Sequence, residues 1–259
     1  MKKYVGLITA GVLSIGVLAG CNNTNGASAK SSKTLIMGTS ADYKPYEYVD
    51  TTKSDQIIGF DIDLVNELAK RTGYKIEVKD LDFNSLITAM KGGKVDMVMA
   101  GMNATPERKK NADFTQPYFS DQNELIVKKG SNIKSLADLK GKTIGVQAGT
   151  VQESIAKAVA KKGGYTIQNR NRVPELIEEL KAGRFDAVLI EQSVAAGYLN
   201  NIKDLNGVLM KDFIDTTTGS AIAFPKNSQL TPKFNEAITE VKKDGTLNKL
   251  LKKWFGISN

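Results

Sequence analysis

Residues 39–48 bring aromatic rings and carboxylates together in one short loop. Three tyrosines within six residues surround a proline, and Glu47 lies between the last two of them. Tyrosine rings hold flat or cationic groups by stacking and cation–π attraction, and a carboxylate pairs with a guanidinium or an ammonium. The loop therefore favours binding of a small cationic molecule. The structural alternative is a packed aromatic turn with an acid on the surface.

Residues 101–108 contain a second set of groups with binding chemistry. Thr105 has the character of a helix N-cap, and Pro106 suits the first helical position. Backbone amides at a helix start attract anions, and Arg108 can add a two-armed contact to a carboxylate. The alternative is a capped helix whose arginine faces water.

Residues 147–153 repeat this arrangement in the second half of the chain, because Gly149 and Thr150 again precede a predicted helix. If the two halves are similar, the two helix starts face each other across a cleft and can hold one carboxylate. Glu191, directly after the predicted strand 187–190, could accept hydrogen bonds from an ammonium. Together these groups predict a site for an α-amino acid.

Alternating strands and helices must position these residues. The apolar patterns predict strands at 34–38, 75–79, 95–100, 143–147, 165–168, 187–190 and 220–224, and helices at 60–72, 86–91, 231–242 and 246–254. Ligands of open parallel sheets bind beyond the carboxyl ends of the strands. The segments after Gly38, Ala100, Gln147 and Ile190 are therefore the expected site.

A sequence unit recurs after 90 residues. Residues 86–98 and 176–188 both contain a helix, a glycine stop, a basic residue, an aspartate and an apolar strand. The recurrence favours two lobes of similar construction, each a small, mainly parallel sheet flanked by helices. We expect the C-terminal helices to return to the first lobe and complete it.

Composition excludes several kinds of chemistry. The chain has no histidine, which excludes Ser-His-Asp and Cys-His catalytic sites and histidine metal sites. We expect no catalytic residues, no metal and no cofactor. The net charge is +8, but lysines and acids alternate along segments such as 178–181, which is typical of a solvated helix face rather than a nucleic-acid surface.

The N-terminus has the features of a secretory signal. Lys2 and Lys3 precede an uncharged stretch over residues 5–19, and the only cysteine, Cys21, follows small residues. As a helix, this stretch would be about 22 Å long, which is less than the ~30 Å hydrocarbon core of a membrane. Its Leu-Ala-Gly-Cys ending resembles the lipobox of bacterial lipoproteins, which implies cleavage after residue 20 and acylation of Cys21. Residues 21–33 then form a flexible tether. The alternative is an ordinary signal peptide with an incidental cysteine.

Residues 59–64, Gly-Phe-Asp-Ile-Asp-Leu, together with the aromatic loop and residues 101–108, resemble the solute-binding proteins of polar amino acid ABC importers. The resemblance covers residues 34–255. It implies a type II periplasmic-binding-protein fold, with lobe 1 formed by 34–120 and 216–259 and lobe 2 by 121–215. The crossovers would lie near 120–124 and 212–219. It further implies a monomer on the extracytoplasmic face of the cell membrane that works with an ABC permease and its ATPase.

The resemblance also implies roles for individual residues. Arg108 would bind the substrate α-carboxylate, helped by the amides of Gly101 and Asn103 and by the turn at Thr150 and Val151. Glu191 would bind the α-ammonium, Tyr43 and Phe83 would enclose the side chain, and Gln152 would lie near the substrate. The helix that starts at Phe60 is expected to be structural. The full predicted set is Ser40, Tyr43, Glu47, Phe83, Ala100, Gly101, Asn103, Arg108, Gln147, Thr150, Val151, Gln152 and Glu191.

Two positions depart from the family pattern and leave the ligand side chain open. Relatives that bind lysine, arginine, ornithine or glutamine often carry an acid at Ser40, and the position of Asn103 is more usually serine or threonine. Glu47 could replace the missing acid for a basic side chain, with Asp42 as a rival. We expect a receptor for a basic amino acid, arginine above all. Glutamine is the alternative, and an enzyme similar to cyclohexadienyl dehydratase is a remote one.

Overall fold

The computed structural model describes residues 33–52, 54–209 and 219–257. The predicted signal peptide, Cys21 and the tether up to residue 32 lie outside the described residues, as does the predicted crossover at 212–219 apart from Gly219. Among the residues that the structure describes, no helix combines the length and apolar character needed to cross a membrane.

Strands and helices alternate along the chain, with short 3-10 turns at Phe83–Ser85 and Leu136–Leu139. In chain order the elements are β1 (Thr34–Thr39), β2 (Asp42–Tyr43), β3 (Glu47–Asp50), β4 (Gln56–Ile58), α1 (Phe60–Thr72), β5 (Lys75–Asp80), α2 (Leu86–Lys91), β6 (Met97–Val98), α3 (Pro106–Lys109), β7 (Asp113–Phe114), β8 (Asn123–Lys128), β9 (Thr143–Gln147), α4 (Val151–Gly163), β10 (Thr166–Arg170), α5 (Val173–Lys181), β11 (Ala187–Glu191), α6 (Gln192–Asn201), β12 (Leu205–Leu209), β13 (Ala223–Phe224), α7 (Leu230–Lys243) and α8 (Thr246–Phe255).

Two five-stranded sheets form two lobes, which confirms the predicted two-lobe α/β fold. Lobe 1 has the strand order β5-β1-β6-β13-β7, and lobe 2 has the order β10-β9-β11-β8-β12. Both sheets are mixed, because β13 is antiparallel to β6 and β7, while β8 is antiparallel to β11 and β12. A third, smaller sheet of β2, β3 and β4 belongs to lobe 1. The chain passes from lobe 1 to lobe 2 through residues 115–123, which we call the first crossing and whose last residue, Asn123, is the first of β8.

The repeated aspartate has the same role in both lobes. In lobe 1 the Asp96 carboxylate accepts a hydrogen bond from the Ile36 amide at 2.7 Å, and the Asp96 amide donates back to the Ile36 carbonyl at 2.8 Å. In lobe 2 Asp186 makes the same pair of bonds with Thr143, at 2.9 and 2.8 Å. Each aspartate therefore joins the start of one parallel strand to its neighbour, which explains why the unit recurs.

Helix α1 is the core helix of lobe 1. Its buried side includes Phe60, Leu64 and Leu68, and α7 and α8 pack against it, so the C-terminal helices do return to this lobe. The helix has the predicted bounds. Gly59 precedes it with φ +142°, and a Cβ there would lie 2.1 Å from the Tyr46 carbonyl oxygen, so this position requires glycine.

The predicted strands 95–100 and 220–224 are shorter in the structure. In the predicted strand 95–100, regular pairing is confined to β6. Just before β6, the Ile36 amide of β1 donates to the Asp96 side chain and not to a backbone carbonyl. In the second, Ser220 makes only isolated bridges, to Asn103 and Phe119, before β13 begins.

Candidate functional site

A narrow cavity lies between the two lobes. Twelve of the thirteen residues predicted for the site line it, and they come from the carboxyl ends of the central strands and the loops that follow them. They are Ser40, Tyr43, Phe83, Ala100, Gly101, Asn103, Arg108, Gln147, Thr150, Val151, Gln152 and Glu191. In the described ranges, no group of three or more histidine, cysteine, aspartate or glutamate side chains is arranged to hold a metal ion.

Arg108 is held in place by contacts to both lobes. Thr105 caps helix α3 by accepting a hydrogen bond from the Arg108 amide at 3.2 Å. The guanidinium donates to the carbonyl of Asn103 and, in lobe 2, to the carbonyl of Gly149, both at 2.8 Å. Its central carbon lies 5.1 Å from the centre of the Phe83 ring. Two backbone contacts leave N–H groups of the five-donor guanidinium for a bound anion.

Burial lowers the pKa of Arg108 but leaves its side chain charged. It lowers the pKa of the guanidinium to about 10, while the carboxylate of Glu191 acts in the opposite direction. Arg108 therefore stays a cation at neutral pH, in a region where water screens its charge poorly. Such a group stabilises an incoming carboxylate more strongly than a surface arginine does.

The start of helix α4 forms the lobe 2 side of the cavity. The Thr150 hydroxyl accepts a hydrogen bond from the Glu153 amide at 3.2 Å and donates to the Gln147 carbonyl at 2.7 Å. This cap satisfies the third amide of the helix, whereas the amides of Val151 and Gln152 have no acceptor within the helix. These two residues line the cavity, so their N–H groups suit an anion there.

The two lobes lie close together beside this helix start. Gly149 has φ +78°, and a Cβ on it would lie 2.9 Å from the Cα of Asn84 in lobe 1. The Gln152 side chain donates to the Asn123 side chain at 2.8 Å, where β8 begins. The cavity wall of lobe 2 is therefore tied directly to the end of the first crossing.

Glu191 places a carboxyl group in the cavity at the end of β11. The residue is 4% exposed, and burial raises the pKa of its carboxyl from 4.5 to about 8, with Asp121 adding to the rise. Arg108 and Glu191 interact electrostatically. The cavity thus contains one buried cation and one buried acid, which are the complements of an α-carboxylate and an α-ammonium.

Glu47 does not line the cavity, contrary to the expectation that it contacts the ligand side chain. Pairing of β2 with β3 sets Glu47 opposite Tyr43, and the residue is fully buried beside Asp61. Burial, followed by the charges of Asp61 and Asp42, raises the pKa of Glu47 well above its usual value. The side chain therefore belongs to the interior of lobe 1.

Asp61 supports the cavity in a way that the sequence analysis did not anticipate. Its Oδ2 accepts hydrogen bonds from the Gly101 amide and the Tyr118 hydroxyl, both at 2.8 Å. Burial raises the pKa of Asp61 to about 7. The Gly101 amide, expected to help bind a ligand, is instead used by this aspartate. The signal lies in residues 59–64, where the motif by itself predicts only the start of a helix.

Asp42 is likewise committed to protein groups. Its Oδ1 accepts from the Ser40 hydroxyl at 2.7 Å, and its Oδ2 accepts from the Val173 amide at 2.6 Å and the Gln147 side chain at 3.2 Å. The carboxylate joins lobe 1 to lobe 2 at the edge of the cavity and does not line it. Neither of the two acids proposed to contact a ligand side chain therefore lies on the cavity surface.

Aromatic rings supply apolar surface in the cavity. Tyr43 and Phe83 both line it. Tyr43 stacks on Tyr46 with ring centres 5.5 Å apart and planes 25° apart. Tyr46 in turn packs against Phe60 and Phe255, so the Tyr43 ring rests on a rigid aromatic cluster. The predicted placement of the two rings beside a ligand remains a prediction.

Comparisons with known proteins identify similar chains over nearly the whole length. Residues 35–257 match the bacterial extracellular solute-binding proteins, family 3. The arginine-binding extracellular protein ArtP of Bacillus subtilis is 49% identical over 255 residues, covering 98% of each chain. A solved structure described as an ancestral arginine-binding protein bound to arginine is 42% identical, with a TM-score of 0.79 over 86% of this chain and 98% of that one. A second structure, described as an ancestral arginine-binding protein bound to glutamine, has the same identity and coverage and a TM-score of 0.80.

Proposed function

The chain belongs to the bacterial extracellular solute-binding proteins, family 3, and from this premise we propose that it is an extracytoplasmic receptor for an amino acid. It captures a basic L-amino acid, arginine above all, between its two lobes and delivers it to an ABC permease that is driven by an ATPase. The receptor acts as a monomer and catalyses no reaction.

One observation carries this proposal, namely the pairing of Arg108 and Glu191 in one buried cavity. Arg108 binds the α-carboxylate, together with the amides of Val151 and Gln152 at the start of α4. Glu191 binds the α-ammonium. A ligand without the α-carboxylate would leave the charge of Arg108 buried without a partner, which costs several kcal/mol, and a ligand without the α-ammonium would leave the Glu191 carboxyl group without its partner. The site therefore selects α-amino acids.

The preference for a basic side chain rests on the surroundings of the cavity. Behind its lobe 1 wall, the carboxyl group of Asp61 interacts with those of Glu47 and Glu191. With a pKa of about 7, Asp61 is ionised in about half of the molecules at neutral pH, and its charge favours a cationic side chain at a distance without touching it. The aromatic rings of Tyr43 and Phe83 suit a planar guanidinium by stacking. Glutamine is the alternative, since one of the two similar structures described as an ancestral arginine-binding protein is bound to arginine and the other to glutamine.

Calorimetric titration with arginine, lysine, ornithine and glutamine tests the proposal. We expect the tightest binding for arginine, weaker binding for lysine and ornithine, and much weaker binding for glutamine. Agmatine, which lacks the α-carboxylate of arginine, is the matched control and should not bind detectably. Glutamine binding without heat from arginine would contradict the basic preference, and no heat from any amino acid would contradict the function itself.

Attachment to the membrane through Cys21 completes the proposed function. Residues 18–21 resemble a lipobox, and an acyl group on Cys21 would keep the receptor near its permease on a short tether. Cys21→Ala should move the protein from the membrane fraction to the medium without changing its arginine affinity. A signal-cleaved Cys21→Ala protein that still sediments with membranes would contradict the lipid anchor.

A further inference from the structure

Arg172 of lobe 2 bonds to three carboxylates of lobe 1. It lies directly before helix α5, and its guanidinium approaches Asp80 at 2.8 Å, Asp82 at 3.0 Å and Asp42 at 3.6 Å. The arginine side chain is 25% exposed, and that of Asp42 is only 6% exposed. None of these four side chains lines the cavity. The contacts therefore join the lobes beside the cavity and not within it.

Neighbouring groups extend this contact. The Asn171 side chain donates to Asp82 at 2.9 Å, and the Val173 amide donates to Asp42 at 2.6 Å. We call Asn171, Arg172, Asp42, Asp80 and Asp82 the cleft latch. A bridge of this kind forms only when the lobes are close together.

Both sides of the cleft latch are held in place by their own lobe. In lobe 2 the Arg172 amide donates to Glu175 at 3.1 Å, which fixes the start of α5. In lobe 1 the Asp80 carboxylate accepts from the Ala41 amide at 2.9 Å, and Asp42 accepts from the Ser40 hydroxyl at 2.7 Å. Preorganised ion pairs lose less side-chain entropy on formation than two free surface chains do.

We propose that Arg172 is a positioning residue that sets how tightly, and for how long, the receptor holds its amino acid. This inference rests on the proposed function. The cleft latch stabilises the closed arrangement of the lobes, and any group that favours the closed state raises the affinity of a ligand that binds there. Asp42 also links the latch to Ser40 and Gln147, both of which line the cavity.

Arg172→Ala tests this inference, with Arg184→Ala as the matched control. Arg184 also lies in lobe 2 and pairs with Glu179, but its side chain is 63% exposed and it has no part in the latch. The two variants lose the same charge. We expect Arg172→Ala to release arginine about tenfold faster in stopped-flow experiments, with little change in the association rate. Arg184→Ala should stay within about twofold of the wild type.

Three further measurements separate a positioning role from a merely structural one. Arg172→Lys should release arginine at a rate between those of the wild type and Arg172→Ala. The positive charge remains in this variant, but the forked guanidinium that reaches three carboxylates is lost. The ligand-free melting temperature of Arg172→Ala should match that of Arg184→Ala. Raising the salt concentration should speed arginine release from the wild type more than from Arg172→Ala, because the Debye length falls from ~10 Å at 0.1 M to ~3 Å at 1 M.

Release at the wild-type rate from Arg172→Ala would overturn the inference while leaving the proposed function intact. If the wild type binds no amino acid, the proposed function fails, and the latch is then judged by small-angle X-ray scattering. In that case we expect a larger radius of gyration for Arg172→Ala than for Arg184→Ala. Identical scattering from the two variants would overturn the latch as well.

Discussion

The buried acid Glu191 makes amino acid binding a proton-releasing reaction, and Glu191→Gln tests this. Burial raises the pKa of the Glu191 carboxyl to about 8, so most molecules carry a proton there at pH 7. A bound ammonium favours the charged carboxylate and lowers that pKa. The proton must then leave as the amino acid enters. Glutamine at this position keeps the size of the side chain but has no proton to release.

The number of protons released on binding follows from the pKa of Glu191. With a pKa of about 8, about nine-tenths of the Glu191 side chains are protonated at pH 7 and about half at pH 8. The wild type should therefore release about 0.9 proton per bound arginine at pH 7, and about 0.5 at pH 8, where the α-ammonium of arginine is still mostly charged. Because binding releases protons, affinity should rise with pH towards pH 8, by as much as about tenfold per pH unit.

Calorimetry in phosphate and in Tris measures the proton count directly. The observed binding enthalpy changes with the ionisation enthalpy of the buffer, and the slope is the number of protons exchanged. We expect a slope near one proton for the wild type at pH 7 and a clearly smaller slope for Glu191→Gln. Equal slopes for the two proteins would refute the assignment. If the variant binds too weakly, an unchanged wild-type slope between pH 7 and pH 8 would refute it instead.

Three other substitutions probe the site and its support. Arg108→Ala should weaken arginine binding more than 100-fold in equilibrium dialysis, because no other cavity side chain replaces its two-armed contact; binding within about tenfold of the wild type would contradict its role. Asp61→Ala leaves the Gly101 amide and the Tyr118 hydroxyl buried without their acceptor, so urea unfolding should show a loss of about 2–5 kcal/mol; an unchanged midpoint would argue against these bonds. Gly59→Ala should cost at least about 1–3 kcal/mol, since its Cβ would lie 2.1 Å from the Tyr46 oxygen, whereas Gly197→Ala, with open space around it, should be neutral or stabilising. Equal stability of the two alanine variants would contradict the strain at Gly59.

Much of the fold could be predicted because its signals are local. Helices α1 and α2 and strand β9 have the bounds that apolar periodicity and glycine stops indicate. The repeated unit at 86–98 and 176–188 marked two similar lobes. Since the carboxyl ends of parallel strands meet at one edge of each sheet, residues far apart in the chain could be assigned to one site.

The parts that could not be predicted depend on long-range packing. The orientation of Glu47 is set by the pairing of β2 with β3, and a strand shifted by one residue would have turned it to the other face. Asp61 and Gly101 are 40 residues apart, and Arg172 is 92 residues from Asp80. No local pattern identifies such partners. In the sequence, nothing distinguishes Asp80, Asp82 and Arg172 from charged residues on a solvated surface.

The first crossing is attached by side chains to both walls of the cavity. Tyr118 bonds to Asp61, which holds Gly101 in lobe 1, and the crossing ends at Asn123, which bonds to Gln152 in lobe 2. A ligand that draws the walls together therefore changes the local environment of this segment. Ser120 is exposed on it, and the only native cysteine is Cys21. In a protein that starts after residue 21, Ser120→Cys would give a single attachment point for a fluorescent dye. The same connection that couples the lobes thus makes the receptor suitable as an optical biosensor for its amino acid.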